Sequence, residues 1–133
     1  ILAALVLGLV ISGPVEATVL RVHDGDTIAV RAHVWPGIES VATVRVRGID
    51  TPELRGKCAA ERELARAARS LLKERVGQRV ILTNIAREKY GRALADVTLE
   101  DGTSVAELMM EAGLARPYEG GRRAGWCDRE AAR

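Results

Sequence analysis

A chain of 133 residues, 47% hydrophobic and 29% charged, is long enough for one domain with one core and too apolar to be disordered. Its net charge of +2 argues against a field spread over the whole surface, so a polyanionic partner would have to be held in a local cleft. Two cysteines and two histidines in no zinc-type spacing exclude a four-ligand zinc centre, and the lack of Phe makes the core aliphatic.

Ile1 to Ile11 is almost wholly apolar. It is too short to span a bilayer as numbered, and it reads as the apolar region of an export signal or the end of an N-terminal anchor. The alternative is a buried N-terminal strand or helix. Residues 1–13 are therefore assigned to a leader and 14–133 to the folded domain. Val15-Glu16-Ala17 looks like a cleavage site, but a cut there would remove half of the first strand. A cut near Ser12 or Gly13, or none, is expected. Such a leader implies a periplasmic, secreted or membrane-anchored protein and allows membrane association through its apolar stretch.

Val15 to Val22 is rich in β-branched residues and is expected to be a strand. Asp24-Gly25-Asp26 signals a turn, and the alternation of Thr27 to Val34 supplies the hairpin partner. Trp35-Pro36-Gly37 breaks it, and Val41 to Val46 forms a third strand. From Cys58 the period changes: Ala60, Leu64, Ala67, Ala68, Leu71 and Leu72 recur at helical spacing until Gly77. Val80 to Ile85 and Ala93 to Leu99 are further strands, closed by Asp101-Gly102. Ser104 and Glu107 form a capping box for a helix running to Gly113. Arg116 to Arg123 is a glycine-containing basic loop, and a last helix begins near Cys127. The order of three strands, a helix, two strands and then helices suits an α+β fold, a five-stranded OB-type barrel with about three helices.

Three islands carry chemistry: Asp24 to Thr27, Arg45 to Glu53, and Glu88 to Arg92. Asp26 and Asp50 stand beside turns at the ends of different strands, which a barrel can bring together. Two carboxylates and a backbone carbonyl make an oxygen-only site suited to Ca²⁺ or Mg²⁺. Glu53, just after Pro52, can orient or deprotonate a water. Arg45 and Arg47 share one strand face, expected on the outside of the barrel or near its rim. Arg45 and Arg92 offer planar guanidinium groups that match phosphate oxygens in pairs. Taken singly, each island reads equally well as a plain turn, a surface glutamate or a solvated arginine. Cys58 and Cys127 are expected to form one disulfide in an oxidising compartment, the alternative being two buried thiols.

The three islands, the Ala-rich helix between them and the run Glu107 to Ala115 together resemble the staphylococcal (micrococcal) nuclease, or thermonuclease, family over roughly Val15 to Trp126. The resemblance implies an OB-type barrel with three helices and a Ca²⁺-dependent endonuclease that cleaves DNA and RNA to leave 3′-phosphate ends. By the same resemblance, Asp26, Asp50 and the Thr51 carbonyl would hold Ca²⁺, with Asp24 behind them. Glu53 would be the general base, and Arg45 and Arg92 would bind the scissile phosphate. Lys89 and Tyr90 would contact a neighbouring phosphate. Tyr118 matches a nucleotide-stacking tyrosine only roughly, because Pro117 shifts the register. The short Leu54-Arg55-Gly56-Lys57 stretch offers few lysines for DNA capture. The competing reading is a non-catalytic OB module that binds nucleic acid or a protein. A stacking platform of that kind needs aromatics, and aromatics make up only 3% of this chain. A monomer acting on DNA or RNA is the expectation.

Overall fold

The computed structural model describes residues 9–88 and 90–127. Among these, the elements in chain order are β1 (Val10–Ile11), β2 (Val15–Asp24), β3 (Thr27–Trp35), β4 (Ile38–Val46), β5 (Ile49–Asp50), α1 (Ala59–Val76), β6 (Arg79–Arg87), β7 (Ala93–Leu99), α2 (Val105–Glu111) and β8 (Arg116–Pro117). The five long strands pair as β6-β2-β3-β4-β7, and β7 returns to β6, which closes the barrel. All of these pairings are antiparallel except β4 with β7, the parallel step of a Greek-key OB barrel.

The barrel interior is aliphatic, as a chain without Phe requires. Val22, Ile28, Val30, Val44, Val46, Val80, Leu82, Val97 and Leu99 alternate inward along their strands and pack as one buried cluster. Helix α1 closes one end of it through Ala65, Ala68, Leu72 and Val76. This stripe is rotated from the expected one: Ala67 is exposed and Leu64 only partly buried. The small Ala65 and Ala68 side chains face the barrel because they let the helix backbone approach it closely. Cys58 caps α1, its sulfur 3.4 Å from the Glu61 backbone N–H, and Gly77 ends the helix at φ +62°.

Several boundaries differ from the sequence expectation. β4 begins at Ile38 rather than Val41, so that Trp35 still belongs to β3 and pairs with Ile38 across a two-residue turn. Polar Glu39 there answers to cross-strand partners rather than to burial: it pairs with His33 and Arg31. The supposed basic loop starts with strand β8, whose Pro117 and Arg116 pair with Ile49 and Asp50. That ladder was illegible because each of its strands has two residues, too few for any periodicity. Val10 and Ile11 pair with Ala86 and Ile85 along β6, with both side chains largely exposed. The described residues contain two helices, and none is long and apolar enough to cross a membrane. The helix expected from Cys127 onward, and residues 1–8 of the expected leader, lie outside the described residues.

Candidate functional site

One cleft of about 1000 Å³ opens where the β2–β3 turn, the end of β4, strand β5 and the turn before β7 converge. All three islands line it: Asp24, Asp26 and Thr27, then Arg45, Asp50, Thr51 and Glu53, then Glu88, Tyr90 and Arg92. Register explains the convergence. Thr27 sits opposite Arg45, and Arg45 lies beside Leu94 on β7. The Val46 backbone N–H also bonds the Asp26 carbonyl at 2.8 Å, which fastens the first turn to the second island.

The β2–β3 turn is set by Gly25. A Cβ there would come within 2.8 Å of the Ala68 Cβ on α1 and 3.1 Å of the Thr51 Cγ2. Only glycine lets the turn lie this close to the helix, and the close packing brings Asp26 up to Asp50. The Asp26 carboxylate is buried; it accepts from the Thr27 hydroxyl at 2.9 Å and from the Thr51 backbone N–H at 3.2 Å. The Asp24 carboxylate accepts from the Asp26 backbone N–H at 3.1 Å. Burial, and then the neighbouring charge of Asp26, push the Asp24 carboxyl up to about 7. These acidic groups are thus crowded in a site that favours a counter-cation.

Arg45 stands at the rim, as expected, but turned into the cleft with its side chain only 13% exposed. Its Nη2 lies 3.4 Å from Asp26 Oδ2 and 3.7 Å from Asp50 Oδ1, while Nη1 donates to the carbonyls of Val46 and Ile49. Arg47, its neighbour on the same strand face, donates instead to the carbonyl of Leu94 at 3.3 Å and reaches Asp96. Arg92 is held by Glu88, whose Oε1 accepts from its Nε at 2.8 Å and its Nη2 at 2.6 Å. The Arg92 guanidinium lies 5.7 Å from the Tyr90 ring, and the Arg45 guanidinium 5.6 Å from the Tyr118 ring. Tyr118 lines the cleft with its hydroxyl bonded to the Gly121 carbonyl at 2.7 Å. Lys89 lies outside the described residues.

Two groups absent from the sequence expectation complete the site. Trp126 is buried, and its Nε1–H points to Asp50 Oδ2 at 3.4 Å. Arg123 places Nε 2.6 Å from Asp50 Oδ1 and donates from Nη2 to the Thr51 carbonyl at 3.1 Å and from Nη1 to Glu53 Oε1. Burial, the largest single influence on Arg123, works against its charge. The hydrogen bond to Glu53 and the Asp50 carboxylate outweigh burial and hold its pKa above the ordinary arginine value. Both residues arrive on the segment after β8, which the Cys58–Cys127 disulfide ties to the start of α1. Glu61, in the first turn of that helix, accepts from the Glu53 backbone N–H at 3.0 Å. The one signal for this segment was the cysteine pair itself: Cys58 follows Glu53 by five positions, so a bond to Cys127 brings the end of the segment, though no particular residue of it, toward the site.

The donor set fits a hard divalent cation. Asp26, Asp50 and the Thr51 carbonyl offer oxygen alone, and no His or Cys lines the cleft. Asp50 Oδ1 is buried and accepts no aligned hydrogen bond, only ion pairs. Among the described residues no group of three or more His, Cys, Asp or Glu side chains could hold a metal, so an ion here would rely on the carbonyl and on water for the rest of its shell.

This geometry has relatives. Residues 43–130 match the family model described as staphylococcal nuclease homologue, about two thirds of the chain. The chain belongs to the staphylococcal nuclease family. It is also 34% identical over 113 residues to proteins named "uncharacterized endonuclease" from Escherichia coli O157:H7 and from Escherichia coli. That match covers 83% of this chain and 65% of each relative, so the chain spans less than two thirds of their length. In this member of the staphylococcal nuclease family the family match begins after the first island. Asp24 and Asp26 join the matched residues through the β3–β4 register and the Val46–Asp26 backbone bond.

Proposed function

We propose that this chain is a Ca²⁺-dependent endonuclease that hydrolyses phosphodiester bonds of DNA and RNA and leaves 3′-phosphate ends. The observation that carries this reading is the gathering of Asp26, Asp50, the Thr51 carbonyl, Glu53, Arg45 and Arg92 around one cleft. Family membership and the endonuclease naming of the Escherichia coli relatives support it. Asp26, Asp50 and Thr51 would hold the cation, which when bound supplies positive charge beside the scissile phosphate and a site for water. Glu53, with its side chain 54% exposed at the cleft mouth, is placed to orient or deprotonate the attacking water. Arg45 and Arg92 supply guanidinium donors where negative charge develops on the phosphate oxygens. Tyr90, Lys89 and Tyr118 contact flanking nucleotides in this reading. The apolar stretch before the barrel and the disulfide favour action in an exported, oxidising setting.

The test is degradation of plasmid DNA and of RNA with Ca²⁺ and with chelator, followed by end-group analysis. Digestion that needs Ca²⁺ and yields ends extendable only after phosphatase treatment supports the proposal. Binding of nucleic acid without cleavage under any divalent metal would instead favour a non-catalytic OB module.

A further inference from the structure

Arg123 touches three oxygen-bearing groups that the proposed reaction needs: Asp50 Oδ1, the Thr51 carbonyl and Glu53 Oε1. Among the described residues no other cation of the cleft does this. Arg45 reaches Asp26 and Asp50 at 3.4 and 3.7 Å while its other nitrogen is committed to two carbonyls. The contact of Arg123 is built into the segment that carries it. Arg116 Nη1 bonds the carbonyls of Ala124 and Gly125, and its guanidinium stacks 3.8 Å above the Trp126 ring. Tyr118 bonds Gly121, and the disulfide pins Cys127 to the helix cap. Arg123 is thereby presented to the carboxylates by a folded loop with partners on both sides of it.

A hard cation sits about 2.3–2.6 Å from its oxygen ligands. An ion on Asp50 Oδ1 would therefore lie at most about 5 Å from Arg123 Nε, with Thr51 shared between them. Like charges that close repel, and the carbonyl oxygen cannot face both at full strength. The two occupancies therefore oppose each other. We propose that Arg123 is an internal cation that competes with the divalent metal for Asp50 and Thr51 and holds Glu53 engaged until the metal displaces it. With the cation bound, Asp50 and Thr51 would be given up by Arg123, and the Glu53 carboxylate would be free to engage the water. The displaced guanidinium would stay tethered by its loop at the cleft mouth. Without metal, the same residue keeps the site neutralised and Glu53 occupied.

This inference rests on the metal reading given above, and its test separates the two. Tb³⁺ is the probe, because Trp126 at 3.4 Å from Asp50 is placed to sensitise its luminescence, with Ca²⁺ added as competitor. Titrations are run on the wild type, Arg123→Gln, Arg123→Lys and Asp26→Asn, each checked for folding by circular dichroism. Removing a competing charge at this range is expected to tighten both ions by about tenfold or more in Arg123→Gln. Arg123→Lys, which keeps charge but cannot grip three oxygens through a planar fork, is expected to tighten them by a smaller factor. A residue with a merely structural role would weaken metal binding when replaced, so the sign decides. Binding that depends on Asp26 yet is unchanged or weaker in folded Arg123→Gln overturns the competition alone. If Arg123→Gln does not fold, unchanged or weaker binding in Arg123→Lys overturns it. Absence of Asp26-dependent binding in both the wild type and the Arg123 variants overturns the metal reading, and the inference with it.

Discussion

Arg45 is committed on several sides: two backbone carbonyls accept from one of its nitrogens and two carboxylates flank another. Such fixation is what a donor aimed at a developing charge requires, because no reorganisation is then needed during the reaction. Arg92 is fixed more lightly, through Glu88 alone among its carboxylate partners in the cleft. Arg45→Lys and Arg92→Lys are each expected to lower kcat by about 10²–10³ with little change in KM, since lysine keeps the charge but loses the fork. Steady-state kinetics on a defined oligonucleotide check this, and a pure KM effect would assign the arginines to substrate capture. That both line the cleft was legible from the sequence because each stands inside an island. Arg123 was not, because nothing in Gly120-Gly121-Arg122-Arg123 distinguishes it from a solvated basic loop until the fold carries it to Asp50.

At the level of elements, the β2–β3 hairpin was readable from Asp24-Gly25-Asp26, and its function as a carboxylate support follows from packing. Gly25 has no room for a Cβ: Ala68 Cβ, Thr51 Cγ2 and Met109 Cε would lie at 2.8, 3.1 and 3.2 Å. Gly25→Ala must therefore push the turn away from α1 and carry Asp26 from Asp50. Overpacking of this kind typically costs about 1–3 kcal/mol. The expected outcome is a lower melting temperature together with weaker metal binding, measured by thermal unfolding and Tb³⁺ titration; full metal affinity in the variant would mean that the turn can shift without moving Asp26. The long strands were legible to within a few residues because the alternation of aliphatic residues survives in each. The β5–β8 ladder and the burial stripe of α1 were not. The former is too short to carry a pattern, and the latter depends on how closely alanine lets the helix approach, which only the barrel decides.

Across the whole molecule, the barrel closes through β6 and β7, but the site is completed by chain from after the barrel. Trp126 and Arg123 reach Asp50 only because β8 pairs with β5 and Cys127 bonds Cys58, an intramolecular loop of sequence separation 69. On the chain-entropy model a loop of that length stabilises the fold by roughly 4 kcal/mol. For a domain of this size, losing that much is expected to lower the melting temperature by on the order of 10 °C. Reduction should also act on the site, where it would loosen the segment after β8 and so weaken the hold of Arg123 on Asp50, Thr51 and Glu53, together with the Trp126 bond to Asp50. Thermal unfolding with and without reductant, and the Cys58→Ser/Cys127→Ser double variant, measure the first effect; Tb³⁺ affinity of the reduced, still folded protein measures the second. Both changes are expected together: a lower melting temperature and tighter metal binding. Thiol titration of the denatured, unreduced protein supplies the control. Two free thiols there would exclude the bond, and the segment would then be held by β8 pairing, the Arg116 contacts and the bonds of Arg123 and Trp126 to Asp50.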